Sequence, residues 1–422
     1  MGIWGERWLV FAVLAAAVAA AGLTGSTRAA AGVVASSVPV SLSSAGAQGS
    51  GSSCCGVVSG DGSLVAFNSV ATNLVAHDTN GVQDVFVRDV VGATTRRISV
   101  SSDNAQANGP SRIDDISSDG RYVVFRSAAT NLVPRDTNHH VDVFVRDLTA
   151  ATTRRVTNTR KGVQGKMDAG IASISANGDF VIFRESYGSS CGSYGVYVKD
   201  RLSGTLRLIS RKSNGAPMCL HDTPCGRTGR VSGGRISDDG QTATFQRHEE
   251  ASDCTALPIA FLRDRTTGRT HTFDSFSREQ DLSPSGRFVV VASGLDGQDL
   301  FLRDRVTKTT TQLTGSDTQP PSGVSSHARI SDDGAFVTFQ STASDLVSAD
   351  TNKRTDVFLH DVLGATTTRL SVTPGGTQLS RMSIRPSISA DGRFVAFDSS
   401  AGNIIVGDAN RHRDVFLSGP LR

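Results

Sequence analysis

One short turn, repeated seven times, limits what this chain can fold into. Its form is Ser-x-Asp/Asn-Gly or a close variant, and its glycines are Gly62, Gly120, Gly178, Gly240, Gly286, Gly334 and Gly392. Successive spacings are 58, 58, 62, 46, 48 and 58 residues. A period of this size belongs to repeat folds in which each unit buries its apolar faces against its neighbours. The glycine supplies the positive φ that a tight turn between two strands needs.

Each turn sits among short apolar runs. Leu64-Val65-Ala66-Phe67, Tyr122-Val123-Val124-Phe125, Phe336-Val337-Thr338-Phe339 and Phe394-Val395-Ala396-Phe397 follow it directly. A second run ends at Asp89, Asp147, Asp200, Asp264, Asp304 and Asp361, with a seventh copy ending at Gly419. A third, Thr-rich run follows, as at Thr94–Ser99 and Thr152–Val156. With the segment before the turn, each unit reads as four strands, A to D. Continuous rather than alternating apolar runs require cover on both faces, which blade-on-blade packing provides. Helical periodicity is missing after the N-terminal segment. The reading is therefore all-β: a seven-bladed β-propeller of four-stranded antiparallel blades. Length alone suggests two or three domains, but a propeller grows by adding blades to one ring, so residues 32–422 are expected to form one domain.

The last unit stops at Arg422 without a strand D, and Val38–Ser44 resembles the D strand at Arg97–Ser102. Residues Val38 to Ser43 are therefore predicted to form the outer strand of the last blade and to close the ring. A six-bladed ring with a stray unit would leave one unit's apolar faces uncovered. The recurring pattern ISxDGRxVxF…DVFVRD…TTRxS resembles the TolB-like, WD-like propeller repeat of bacterial envelope and secreted proteins. The resemblance implies the fold; such rings are scaffolds for many activities. TolB-like translocation proteins carry an α/β domain before a six-bladed ring. Here the ring follows the N-terminal segment directly and counts seven, which detaches the resemblance from TolB-type trafficking.

Residues 1–31 read as a signal peptide. Glu6 and Arg7 precede an apolar run from Trp8 to Ala21, and Ala29-Ala30-Ala31 offers an A-x-A cleavage site. Cleavage is expected after Ala31, giving a secreted or periplasmic chain. No cysteine lies at that point to carry a lipid anchor. No second run of spanning length follows, so no transmembrane segment is expected after cleavage. Trp4 and Trp8, the only tryptophans, would be lost, and the formal +3 charge would fall to +2 with Arg7, Arg28 and Glu6 removed. A nearly neutral chain lacks the basic field that nucleic-acid binding needs.

In a four-stranded blade, the A–B and C–D turns lie on one face of the disc, and the B–C loops and D–A connectors on the other. The unusual sequence falls on the second face, where function is expected. Four B–C loops share Asp-x-Asn-x-x-x-Asp: Asp78/Asn80/Asp84, Asp136/Asn138/Asp142, Asp350/Asn352/Asp356 and Asp408/Asn410/Asp414. Such oxygens suit a hard cation, so calcium is the one cofactor these loops suggest; none is required. The rival reading is side-chain-to-backbone turn chemistry. Blades three, four and five lack the motif.

Cys191, Cys219, Cys225 and Cys254 fall on this same face in blades three and four, and two disulfides are expected there, Cys219–Cys225 and Cys191–Cys254 being the simplest pairing. A zinc site completed by His221 or His248 is the alternative. Adjacent Cys54 and Cys55 are read as a strained vicinal bridge or as pairing elsewhere. Gly188-Ser189-Ser190-Cys191-Gly192 matches the G-x-S-x-G nucleophile elbow but lies in a hairpin loop with no helix after it. No catalytic residue is assigned. The repeated Arg-Asp pair ending strand C reads as blade architecture. The expected function is therefore a non-catalytic binding or scaffold propeller, monomeric, docking a protein, peptide or glycan on its loop-rich face. The alternative is a secreted hydrolase or lyase with its active site at the channel mouth.

Overall fold

The ring is held at one end by hydrogen bonds that run from blade to blade around the central axis. The computed structural model describes residues 37–421 except 188–194, 219–230, 233, 251–255, 274–277, 294–298, 316–320, 349, 406 and 409. It contains seven four-stranded antiparallel sheets. Blade one comprises strands A Ser53–Val58, B Leu64–Ser69, C Asp84–Asp89 and D Thr94–Arg97. Blade two follows with A Ser111–Ile116, B Tyr122–Ser127, C Asp142–Asp147 and D Thr152–Arg155, and blades three to seven take their strands from 172–208, 231–272, 278–312, 325–369 and 383–418, the last completed by Ser37–Pro39.

The apolar runs are the central strands, buried on both faces. A phenylalanine of strand B faces one of strand C in the blades that carry both. Phe67 and Phe86 stack 5.8 Å apart, Phe125 and Phe144 5.7 Å, and Phe339 and Phe358 5.6 Å. All six are fully buried. Such cross-strand aromatic pairs stabilise a sheet beyond their buried area.

The Ser-x-Asp/Asn-Gly turn works through its side chains. In blade one the Ser59 hydroxyl donates to Asp61 Oδ1 (2.7 Å) and accepts the Leu64 N–H (3.0 Å). Asp61 Oδ1 also accepts the Ser63 N–H (3.0 Å). The backbone at or next to the variable position makes the ring. Gly60 N–H donates to Ser118 O, Ser118 to Ala176 O, Asp238 to Pro284 O, Asp332 to Ala390 O and Asp391 to Gly60 O. Pro284 has no N–H; there Ser285 donates instead to the Asp332 carboxylate (3.1 Å). Ala176 likewise donates to the Asp238 carboxylate. The turn glycine is required twice over: Gly178 has φ +78°, and a Cβ there would lie 2.2 Å from the Tyr122 ring of the preceding blade.

The closure is as the sequence predicts. Ser37–Pro39 pairs antiparallel with the last strand, Asp414–Ser418, with Val38 opposite Leu417. Val40 N–H continues the ladder to Val415 O (2.8 Å), and the Ser41 hydroxyl donates to Asp414 Oδ1 (2.6 Å). The chain's two ends thus share one sheet, and the six-bladed alternative falls away.

Blade four departs from the others. Its strands B and C, Thr242–Glu250 and Ala256–Asp264, run nine residues each and stay in register from Thr242–Asp264 to Glu250–Ala256. Strands B and C of blades one and two run six. At about 3.3 Å per residue, the extra three residues carry this hairpin about 10 Å further on the loop-bearing face. Among the described residues no helix is long and apolar enough to cross a membrane.

Candidate functional site on the loop face and channel

The Asp-x-Asn loops are built around an arginine. In blade one, Arg97 NH1 donates to Asp78 Oδ1 (2.9 Å), Asp84 Oδ2 (3.2 Å) and Gln106 Oε1 (2.8 Å). Asn80 donates to Asp84 Oδ2 (2.9 Å) and the Ala107 carbonyl (3.1 Å), and its own oxygen accepts the Val82 N–H (3.3 Å). Blade two repeats this: Arg155 NH1 reaches Asp136 Oδ1 (2.8 Å), Asp142 Oδ2 (3.2 Å) and Gln164 Oε1 (3.0 Å), and Asn138 donates to Gly165 O (3.3 Å). In blade six, Arg369 donates to Gln378 Oε1 (2.6 Å) and lies 3.7 Å from Asp350, while Asn352 donates to Asp356 (3.0 Å). These groups are buried: side-chain exposure is 7% for Arg155, 2% for Asp136 and 1% for Asp142. The guanidinium is the loop's own counter-cation.

Blade seven lacks it. Arg97, Arg155 and Arg369 stand opposite Phe86, Phe144 and Phe358; the residue opposite Phe416 is Pro39. The rest of the cradle persists. Asn410 donates to Gly49 O (3.2 Å) and Gln48 to Gly407 O (3.0 Å). Asp408 Oδ1 is buried without a hydrogen-bond partner. Burial raises the Asp414 pKa, and Asp408 adds to the rise. Sequence reasoning missed the arginine although its signal is local: it lies 13 residues after the motif's last aspartate in all three loops.

The Arg-Asp pairs ending strand C are architectural. Arg146 donates to Ser101 O (2.9 Å) and to Thr153 Oγ1 (3.1 Å). Asp147 accepts the N–H groups of Thr149 and Ala150 in the next turn.

On the central axis, the ends of the A strands and the turns after them, with Arg235 and Ile236 of blade four, line a cavity of about 110 Å³. Its charges satisfy one another across the ring. Arg235 of blade four donates to Asp115 of blade two (2.7 Å) and lies 2.9 Å from Asp281 of blade five. Asp115 also accepts from Ser173 (2.7 Å), and Asp281 from the Ile330 N–H (3.0 Å). Ligand pockets for drug-sized molecules run to about 300–1,000 Å³, well above this cavity.

The start of strand A carries a bulge. In blades one, six and seven it places Cys55 (φ 65°), His327 (φ 53°) and Arg385 (φ 54°) in the left-handed region. Cys54 and Cys55 are free thiols with sulfurs 2.7 Å apart. The hydrogen bond from Cys55 holds Cys54 at a pKa of about 6 and pushes Cys55 up. Beside them Asp398 is fully buried, which raises its pKa to about 7. Partial desolvation and the charges of Arg329 and Arg385 push His327, at an exposed position, down to about 4. None of Cys54, Cys55, His327, Arg385 or Asp398 was singled out from sequence as one cluster. Cys191, Cys219, Cys225 and Cys254, with the Gly188–Gly192 motif, lie outside the described residues.

No family model matches the sequence, and no curated protein matches it. Solved structures do resemble its fold. The β-propeller domain of the Trilobed protease from Pyrococcus furiosus, described as having an open velcro topology, superposes with a TM-score of 0.56 at 10% identity, covering 88% of this chain and 98% of that one. Oligogalacturonate lyase from Vibrio parahaemolyticus gives 0.52 at 14% identity over 86% and 88%. A structure described as TolB from Agrobacterium tumefaciens gives 0.43 at 16% identity over 77% and 94%. The likeness is one of fold; in this chain the ring has seven four-stranded blades and is closed by pairing the N-terminal strand with the C-terminal one.

Proposed function

We propose that this chain is an exported binding or scaffold propeller that engages a protein, peptide or glycan ligand through the face carrying its B–C loops and D–A connectors. The observation that carries the reading is the blade-four hairpin, extended by three residues per strand on that face. A ring otherwise built for regularity gains nothing in stability from one long hairpin. A projecting strand pair is a common means of gripping a partner, through its backbone edge and its side chains. The small cavity at the turn end of the axis, whose Arg235, Asp115 and Asp281 pair with one another, supports the same reading. For the Asp-x-Asn loops, calcium binding is proposed for blade seven alone, because in the other three an arginine already supplies the positive charge.

A second reading, a hydrolase or lyase at the channel mouth, is favoured by one observation: His327, Arg385, Asp398 and the two cysteines come from three consecutive blades at equivalent strand-A and strand-B positions. One experiment separates the two. Glycan and peptide arrays are probed with the full chain, with a variant whose blade-four strands are cut to six residues, and with His327→Ala. Ligand binding lost on shortening and kept by His327→Ala supports the binding propeller. Turnover of a bound polysaccharide or peptide that survives shortening and disappears in His327→Ala would sink it in favour of the enzyme.

A further inference from the structure

We propose that Cys54, Cys55 and Asp398 form a binding site for a thiophilic divalent cation of the zinc class. Neighbouring residues of a regular strand point to opposite faces of the sheet. Here the register shift between Cys54 and Val57, with Cys55 in the left-handed region, turns both thiols to one side. Asp398, 343 residues away on strand B of blade seven (Val395–Ser399), completes the group. Its Oδ1 accepts the N–H groups of Cys55 (2.7 Å) and Gly56 (3.4 Å). Its Oδ2 is buried and has no hydrogen-bond partner. The two sulfurs and the carboxylate lie within 4.8 Å of one another. A buried carboxylate oxygen held only by one long ion pair to Arg385 is poorly compensated, and a metal ion would offset that cost.

Arg385 already pairs with this group, but loosely. Its NH1 stands 3.5 Å from Asp398 Oδ2 and 3.5 Å from Cys55 Sγ, and its side chain is 41% exposed. It can swing outward to admit an ion and remain near enough to offset the negative charge of two thiolates and a carboxylate. Two thiolates with a carboxylate select zinc-like ions over calcium or magnesium, which prefer oxygen alone. Three protein ligands leave a fourth position for water, the arrangement of open zinc sites. With Zn–S bonds of about 2.3 Å at tetrahedral angles, the sulfurs would move apart by about 1 Å from their 2.7 Å separation. Both cysteines are half-buried, so side-chain rotation suffices. The thiol protons leave to solvent on binding, and no oxidation is involved.

The test uses the full chain, reduced and kept anaerobic, titrated with cobalt(II) as a spectroscopic stand-in for zinc. A companion variant with Cys191, Cys219, Cys225 and Cys254 replaced by Ser isolates the pair. The expected result is one cobalt per chain with thiolate-to-cobalt charge-transfer absorption in both proteins, displaced by zinc and absent from Cys54→Ser/Cys55→Ser. Asp398→Asn keeps an oxygen for the Cys55 and Gly56 N–H groups, so it should fold, as circular dichroism will check, and bind at least about ten-fold more weakly. A charge-transfer band that survives Cys54→Ser/Cys55→Ser, a companion variant with no band, or an Asp398→Asn protein that binds as tightly as the parent would each overturn the assignment. This inference is independent of which ligand the loop face takes.

Discussion

Replacing Arg155 with Met keeps the side chain's bulk and removes its charge, which isolates what the guanidinium does in the Asp-x-Asn loop. Asp136 and Asp142 would then face each other with 2% and 1% of their side chains exposed and no cation beside them. Removing one partner of a buried ion pair costs about 3–5 kcal/mol. With an unfolding entropy of about 2.1 cal/mol/K per residue over the unit Val34–Arg422, that converts to a fall of about 4–6 °C in the unfolding midpoint. The assay is thermal unfolding followed by far-ultraviolet circular dichroism. The deficit should depend on pH with a definite sign. Burial already raises the Asp136 pKa and Arg155 restrains that rise; without the arginine it climbs further, so the variant takes up a proton that the parent does not. Its disadvantage is therefore largest near neutrality and shrinks as pH falls toward the ordinary carboxylate value of about 3.9. Asp136→Asn, combined with Arg155→Met, should recover part of the loss, because one unpaired charge goes. A midpoint within about 1 °C of the parent, or a double variant no more stable than Arg155→Met, would refute the counter-cation account.

The complementary change is Pro39→Arg, which supplies blade seven with the guanidinium of its sister loops; it should raise the midpoint and abolish any calcium-dependent rise seen in the parent by the same dichroism assay. Gly178→Ala combines a left-handed backbone with a Cβ 2.2 Å from the Tyr122 ring; it should cost about 1–3 kcal/mol for the clash on top of about 1 kcal/mol for the backbone, read by chemical denaturation. Glu185 is fully buried, and burial raises its pKa from 4.5 to about 8. The folded state therefore holds a proton that the unfolded chain releases between those values, so stability falls as pH rises through that window; Glu185→Gln should flatten this part of a pH series of unfolding midpoints, and an unchanged slope would remove Glu185 from the account.

Much of the architecture was legible in the residues because it is local. The Ser-x-Asp/Asn-Gly turn closes within six residues, from Ser59 to Leu64, through its own hydroxyl and carboxylate. The apolar runs announce strands covered on both faces, and counting the turns counts the blades. Even the closure could be read, since Val38–Ser43 carries the pattern of a missing D strand. The arginine that fills three Asp-x-Asn loops was equally within reach at 13 residues' distance, but nothing in the sequence says that an arginine in a Thr-rich strand turns back into the loop. Only the register opposite Phe86, Phe144 and Phe358 places it there, and only the same register puts Pro39 at that place in blade seven. The remaining groups depended wholly on the ring. Asp115 meets Arg235 across 120 residues, and Asp398 meets Cys55 across 343. A repeat sequence fixes each blade through contacts within about 60 residues, whereas groups from different blades meet only where closure of the circle brings strand A of each onto a common axis. That is why the sequence by itself determined the fold and the count of blades, while the tertiary structure alone decided which charges and thiols stand together.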